Sequence, residues 1–452
     1  MTLPKGWASA KIADVAIINP KHPADADRSQ RVSFVPMPAV DEELGAIVGA
    51  TDRTLEEVWT GYTHFAEGDV IFAKITPCME NGKAAVAIGL TNGLACGSTE
   101  FYVLRPDGVE ASLLWRFLRQ QSFRAEAERN MSGAVGQRRV PRSFLEEHPF
   151  ALPPAAEQRR IVAKLDALTT CIARARAELR RVPVLSKNLR ATALRQAYDL
   201  ARLKAGTVPI REMLSSLDQG WSPKCENYPS QDSDEWAVLK TTAVQALRFQ
   251  ANENKVLPSW LEPRPGLEVA MNDILVTRAG PRVRVGISCV VKETRPKLIL
   301  ADKIYRLRAD PDRALPDYVA LMLNAPQSLA TIETMKTGIS DSGLNLTQDK
   351  FLALEIPAID RADQEVIIES TAVTFARADR LEAEAARARA LLDRLEAAIL
   401  AKAFRGELVP QDPNDEPASV LLERIRAQRA GAPNTRRGRG RRAAATRDIA
   451  AE

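Results

Sequence analysis

Histidine is nearly missing from this 452-residue sequence: only His22, His64 and His148 occur. No two lie within one helical turn, so neither a His-x-x-x-His metal pair nor a local histidine-based motif is available, and enzymes that rely on histidine are disfavoured. Cysteine is equally thin. Cys78, Cys96, Cys171, Cys225 and Cys289 are odd in number, far apart and never arranged as Cys-x-x-Cys. That argues against a disulfide framework and a thiolate zinc site, and makes reduced, mostly buried thiols the expectation. The phosphate-cradling Gly-x-x-x-x-Gly-Lys-Ser/Thr loop, the Gly-x-Gly-x-x-Gly turn and the Gly-x-Ser-x-Gly elbow are missing too. A self-sufficient enzyme is disfavoured, and the sequence offers no catalytic residue and no metal ligand. Long hydrophobic runs are also lacking. No window approaches the ~18 apolar residues of a membrane span, and MTLPKGWASA lacks the order of a secretory signal, so the expectation is a cytoplasmic chain without membrane contact.

What is present is a chain able to bury cores, with 45% hydrophobic and 27% charged residues. At roughly 150 residues per domain its length points to two or more domains. The net charge of +5, from 63 basic and 58 acidic residues, gives only mild attraction to a polyanion and does not by itself diagnose DNA binding.

The strongest signal is an internal duplication. Gly68-Asp69-Val70-Ile71-Phe72-Ala73-Lys74 matches Asn272-Asp273-Ile274-Leu275-Val276-Thr277-Arg278, 204 positions on, and each segment then reaches a proline, Pro77 or Pro281. Ser132-Gly133 aligns with Thr337-Gly338 and Glu157-Gln158 with Asp363-Gln364, in the same order and at nearly the same offset. Each copy opens with short apolar runs punctuated by Gly, Pro and Asn, as expected of strands and turns. Near its end each copy carries one predicted helix, SLLWRFLRQQSFRAEAERN or PDYVALMLNAPQSLATIETM.

The texture then changes. Residues 155–204 contain no glycine, and Ile161, Leu165, Leu168, Ile172, Leu179 and Val182 keep a three-four spacing, which predicts a long amphipathic helix. Pro183 should kink or divide it. Residues 361–404 repeat the pattern. Helices with so apolar a face pack against each other, and the expected seam joins Leu165, Leu168 and Ile172 to Leu381, Leu392, Leu395 and Ile399. The first helix carries 12 basic against 4 acidic residues, whereas the second holds slightly more acid than base, which favours pairing of the two over self-pairing. The alternative is that both faces are merely solvated. Beyond Phe404 a Pro- and Asp-rich loop leads to a short helix near Ala418, and the last 22 residues hold six arginines, the composition of a disordered basic tail.

Four stretches are recognisable: LPKGWASAKIADV, the two GDVIF-like strands, FALPPAAEQRRIV with its partner NLTQDKFLALEIPAIDRADQEVII, and above all AILAKAFRGELVPQDPNDEPASVLLERI. Through them the chain resembles, over about residues 3–426, the DNA-specificity subunit of type I restriction-modification systems. Departures are Pro183 and the Ala358-Ile359-Asp360 that replaces Leu152-Pro153-Pro154 of the first copy. The resemblance implies an α+β fold with two duplicated mixed α/β target-recognition domains, separated by two long helices that form an antiparallel coiled coil. The expected boundaries are 1–152 and 206–356 for the recognition domains, 153–205 and 357–404 for the spacer helices, 405–430 for a C-terminal extension and 431–452 for the basic tail.

The same resemblance implies double-stranded DNA as the ligand, read as a bipartite, asymmetric target by a non-catalytic chain. It also implies two methyltransferase subunits and restriction (endonuclease and translocase) subunits as partners. S-adenosylmethionine, ATP and magnesium would belong to those partners, leaving no cofactor here. Without the resemblance the residues support only a duplicated protein on a helical scaffold, which could equally gather protein partners. Candidate DNA contacts are Gln137, Arg138, Arg139 and Arg142 after Gly136, and Arg278, Arg282 and Arg284 around Gly280-Pro281. Lys74 joins them because it occupies the repeat position of Arg278. Arg can hold guanine and Gln adenine in bidentate fashion, and Arg and Lys also neutralise phosphate. Ordinary solvated surface is the competing reading for both clusters.

Overall fold

The two GDVIF-like segments become the strands Val70–Ala73 and Ile274–Thr277, each buried along its whole length. Their side chains feed two cores: Val70 and Phe72 enter one apolar cluster while Ile71 and Ala73 enter another. Ile274 and Val276 divide from Leu275 in the same way. A strand covered on both faces reads as a continuous apolar run, which is why the segments stood out in the sequence. The computed structural model describes residues 3–134, 136–338, 340–341 and 343–431. Apart from Gly431, the basic tail expected at 431–452 lies outside the described residues. The chain divides into one unit of Met1–Arg176 with Arg389–Glu452, and another of Ala177–Ala388.

In the first unit an antiparallel sheet runs in the order Ala16–Ile18, Phe101–Pro106, Val70–Ala73, Ala84–Val86. A second sheet runs Thr51–Thr54, Arg31–Val35, Leu94–Gly97, Thr63–Ala66, with its central pair parallel. The other unit repeats the plan. Leu214–Gln219, Ile304–Ala309, Ile274–Thr277 and Ser288–Val290 form its antiparallel sheet, and Asn254–Val256, Ala237–Leu239 and Leu298–Ile299 its second sheet, again with one parallel pair. A short ribbon ties the ends of each copy together: Ala8–Lys11 pairs with Pro149–Leu152, and Thr207–Pro209 with Glu355–Pro357.

The single helix expected near the end of each copy is two. Ala111–Arg119 stops at extended Gln120 before Gln121–Arg129 begins. Pro316–Asn324 stops at extended Ala325 before Pro326–Met335. Pro326 explains the second break, because a residue preceding proline is pushed out of the helical region. The thiols differ from expectation as well: Cys96 and Cys289 are buried, with burial pushing both up to about 12, while Cys171 is exposed and Cys78 and Cys225 lie between.

Two long helices span Ala155–Ala205 and Arg361–Phe404. Pro183 lies inside the first without dividing it, so of the two effects expected of it the division does not occur. One proline removes a single backbone bond, and packing of the neighbouring turns compensates locally. Ser186 is buried and donates to Ala378 O at 3.4 Å, and Arg190 reaches Glu382 at 2.7 Å. Arg190 also reaches Asp379, and Lys204 pairs with Asp363 further on, so from Arg190 to Lys204 the partner numbers fall as the first helix advances and within this unit the pair is antiparallel. In the first unit Leu165 is fully buried in a cluster with Ile161 and Ala403, against which Ile399, Leu400 and Phe404 pack. Arg176 binds Asp393 at 2.6 Å and Glu396 at 2.8 Å.

Ile172 is buried, and Leu168 and Leu392 are half-buried. Leu381 and Leu395, in contrast, are 43% and 49% exposed, so neither sits in the seam assigned to it from the sequence. Thr371, Ala378 and Ala385 are buried, seven apart, with half-buried Leu392 and Ile399 continuing the series. A seven-residue repeat is the coiled-coil period, and small residues in it let backbones approach closely. Reading by leucine content therefore found Leu392 and Ile399 but also took in Leu381 and Leu395 beside the seam.

The C-terminal extension folds onto the first unit. Ala418–Gly431 is a helix whose Ala418 N–H donates to Gly6 O at 2.8 Å, whose Leu422 and Ile425 are buried, and whose Arg429 donates to Asp107 at 2.9 Å and to Ala13 O at 2.6 Å.

Candidate nucleic-acid interface

Each unit builds one loop pair from its repeated anchors. Behind the strand Val70–Ala73 the turn at Gly68 has φ +82°, and its counterpart Asn272 has φ +67°, a left-handed conformation open to Gly and tolerated by Asn. The next residue caps the turn: Asp69 accepts Ala66 N–H at 2.8 Å, and Asp273 accepts Ala270 N–H at 2.9 Å. Arg105 clamps Asp69 through two 2.8 Å bonds, and Arg308 reaches Asp273 at 3.0 Å. The repeated aspartates are thus structural.

At the far end of the same strand sit Lys74 and Arg278. Lys74 Nζ lies 5.3 Å from the centre of the Tyr102 ring, and the Arg278 guanidinium lies 5.7 Å from that of Tyr305. Both tyrosine hydroxyls donate to backbone, Tyr102 to Val140 O at 2.9 Å and Tyr305 to Leu346 O at 3.0 Å. Burial pushes both phenols upward, so they stay neutral donors. The loop strands close the cradle with matching bonds, Val140 N–H to Lys74 O and Leu346 N–H to Arg278 O, each 2.8 Å. The sequence reading passed over these tyrosines, although Tyr102-Val103-Leu104-Arg105 and Tyr305-Arg306-Leu307-Arg308 repeat the pattern Tyr-x-Leu-Arg.

Around this cradle the remaining candidates are mostly occupied. Arg139 binds Glu100 with two bonds of 2.8 and 2.9 Å, and that hydrogen bonding holds the Glu100 carboxyl below its usual range. Arg138 lies 3.6 Å from Glu80, and Arg142 donates to Glu146 at 2.7 Å, one helical turn away. Gln137 is exposed at the tip. In the other unit Arg282 pairs with Glu333 and, at 2.9 Å, with Asp341. Arg284 turns inward and donates to Thr241 O at 2.7 Å and Val244 O at 3.1 Å, supporting a backbone turn. The two clusters are also not equivalent. Ile75 bridges to Arg139 and Ala279 pairs with Asn345, so the counterpart of the Gln137–Arg139 loop is the segment around Gly343–Asn345, which carries no arginine. Lys74 and Arg278 are the candidates that duplicate in space.

Among the described residues no group of three or more His, Cys, Asp and Glu is arranged to hold a metal ion, and no helix is long and apolar enough to cross a membrane.

Residues 4–182 match the family model of the type I restriction modification DNA specificity domain. The chain is 33% identical to the type I restriction enzyme EcoEI specificity subunit of Escherichia coli over 84% of its own length and 79% of that protein. It is 26% identical to the EcoKI specificity subunit of Escherichia coli strain K12 over 75% of each. Among solved structures, the HsdS subunit from Thermoanaerobacter tengcongensis aligns with a TM-score of 0.61 at 22% identity, over 90% of this chain and 99% of that one. A chain from a study of complex assembly and conformational transition of the type I R-M system reaches 0.72 at 21% identity, over 90% and 100%. These two share the fold: duplicated mixed domains with two long helices. With this duplicated architecture and a relative one-third identical across most of both chains, the protein belongs to the family of type I restriction enzyme specificity subunits.

Proposed function

We propose that the chain reads one half of a bipartite, asymmetric duplex DNA target with each unit, and brings two methyltransferase subunits and the restriction subunits to that target. The observation that carries this reading is the duplication itself. Both units share strand order and the cation–tyrosine cradle, yet differ in the loop beside it, Gly136–Arg139 in one and Gly343–Asn345 in the other. Two identical readers would select a palindrome; two readers on one scaffold with different loops select two different half-sites. Linking them in one chain makes the second contact intramolecular and raises overall affinity.

In this reading the chain is a non-catalytic, cytoplasmic subunit. Methyl transfer with S-adenosylmethionine, and ATP- and magnesium-dependent cleavage, reside in the partner subunits, so this chain binds no cofactor of its own. Lys74 and Arg278 contact the phosphate backbone, where a cation on a fixed platform neutralises charge without reading sequence. Mapping methylated adenines across the genome of a host that carries this chain and a methyltransferase partner tests the proposal. The expected result is one motif with two unlike halves and an unread gap; a palindromic motif, or methylation independent of the chain, would overturn it.

A further inference from the structure

In the unit Ala177–Ala388, the segments 226–236 and 256–263 enclose a cavity of about 510 Å³ outside the cradle described above. Backbone bonds frame it: Glu226 N–H donates to Val256 O, Val256 N–H to Tyr228 O and Leu257 N–H to Trp236 O. Three aromatic residues line it, Tyr228, Trp236 and Trp260, together with the apolar Leu257 and Leu261. Trp260 is 76% and Tyr228 53% exposed, an unusual amount of bare ring for a protein surface. Every charged residue of the lining is acidic, namely Glu226, Asp234 and Glu235. Lys297 pairs with Asp234 at 3.3 Å, but neither Glu226 nor Glu235 has a cation within ion-pair distance among the described residues.

Aromatic faces attract cations through the negative face of the ring, and carboxylates at the rim add Coulombic attraction. The same walls repel phosphate, so this cavity is not a second DNA site. The companion unit supports the assignment. Its strand Thr51–Thr54 holds the topological place of Asn254–Val256 at the edge of the second sheet, and Trp59 follows it much as Trp260 follows its counterpart. There the chain places its own guanidinium on the indole: Arg28 lies 3.3 Å from the centre of the Trp59 ring. Arg53 likewise covers Phe34 at 4.7 Å. Trp260 has no such cation over it among the described residues, and the charged residues that line the cavity with it are carboxylates. We propose that the cavity bounded by Tyr228, Trp236, Trp260, Glu226 and Glu235 binds an alkylammonium or guanidinium group supplied by a ligand.

Calorimetric titration of the full chain with N-ethylguanidinium, tetramethylammonium and uncharged tert-butanol tests this. Both cations should bind saturably and tert-butanol should not at the same concentrations. The double variant Trp260→Ala, Glu235→Gln should weaken cation binding about tenfold or more. Both side chains lie at the surface, and unchanged DNA affinity in the same preparation shows that the variant is folded. A second arm compares putrescine with the tripeptide Gly-Arg-Gly: tighter binding of the peptide makes the ligand a protein side chain, and tighter binding of putrescine makes it a free amine. Equal binding of tert-butanol, indifference to the double variant, or no saturable binding of either cation would overturn the proposal.

Discussion

Gln158 and Gln364, 206 positions apart, make the same three hydrogen bonds in their own units. Gln158 accepts the N–H of Glu110 at 2.8 Å and donates to Gly108 O and Pro153 O at 3.2 and 3.0 Å. Gln364 accepts the N–H of Leu315 at 2.8 Å and donates to Arg313 O and Ile359 O at 2.8 and 2.9 Å. Each side chain is essentially fully buried and lashes the first turn of a long helix to the segment that opens a domain helix.

Removing either amide strands one fully buried carbonyl, Pro153 O or Ile359 O, at a cost of about 1–3 kcal/mol, and breaks two half-buried bonds worth about 0.5–1.5 kcal/mol each. Gln158→Ala and Gln364→Ala should therefore each lower stability by several kcal/mol, each through its own unit. Hydrogen-exchange protection measured unit by unit checks this: Gln364→Ala should expose residues 177–388 while leaving residues 3–176 protected.

The seam between the long helices gives a contrasting pair. Leu165 is fully buried whereas Leu395 is 49% exposed. Leu165→Ala should cost ~2–5 kcal/mol, and Leu395→Ala no more than ~0.5 kcal/mol. Urea unfolding midpoints of the two variants decide it, and comparable losses would return Leu395 to the seam.

The long helices, the repeat and the paired strands were legible in the sequence because each rests on a local pattern. Ile161 and Leu165 repeat at helical spacing, and Val70 to Ala73 form a run buried on both faces. What could not be read depends on distant partners. Nothing near Arg284 says that its guanidinium turns inward to Thr241 O, and nothing near Arg139 says that Glu100 will hold it. Ala378 and Ala385 mark the seam through closeness of backbones, which apolar bulk does not register. The helix Ala418–Gly431 docks through Arg429 and Asp107, 322 positions apart. The repeated aspartates Asp69 and Asp273 were visible as anchors, but only their turn-capping bonds show why they recur.

The DNA candidates separate by their ion partners. Lys74 faces a tyrosine ring with no carboxylate at ion-pair distance among the described residues, whereas Arg282 is held by Glu333 and Asp341. A cation already neutralised releases few counterions on binding. Lys74→Ala should lower the slope of log affinity against log salt by up to ~0.9, the value for one lost phosphate contact, while Arg282→Ala leaves it nearly unchanged. Binding isotherms across a salt series read the difference.

Modular reading of the target has a direct consequence. Exchanging residues 206–356 for the matching segment of another family member should change one half of the methylated motif and leave the other half intact. Methylome mapping of the hybrid with its methyltransferase reads this; alteration of both halves would show that the two units do not read independently.

The last prediction follows from where the histidines fall. All three belong to the unit Met1–Arg176 with Arg389–Glu452, and the unit Ala177–Ala388 has none. Burial holds each of them below the usual imidazole value. His22 and His64 stack with ring centres 4.6 Å apart, and His148 sits against Phe123 and Phe144 at 4.8 and 5.1 Å. Lys21, Arg28 and Arg105 further oppose charge on the stacked pair, while Asp69 favours it on His22, as Glu126 does on His148. A histidine that is neutral when folded but free to take a proton when unfolded makes the unfolded state bind more protons. Stability from these groups is therefore complete above pH about 6.5, the unfolded value, and is lost as pH falls towards the lowered folded values. Glu157 works in the opposite direction, since burial beside Trp7 pushes its carboxyl upward and acid relieves that cost. With three histidines against one such carboxylate, lowering the pH from about 7.5 to about 5.5 should reduce protection in the first unit and spare the second. Protection factors for the two sets of amides across that range give the measurement. In the variant His148→Phe, which keeps a ring among Phe117, Phe123 and Phe144, one proton uptake disappears and the slope for the first unit should flatten. Parallel losses in both units would mean that carboxylates, not these imidazoles, govern the response to acid.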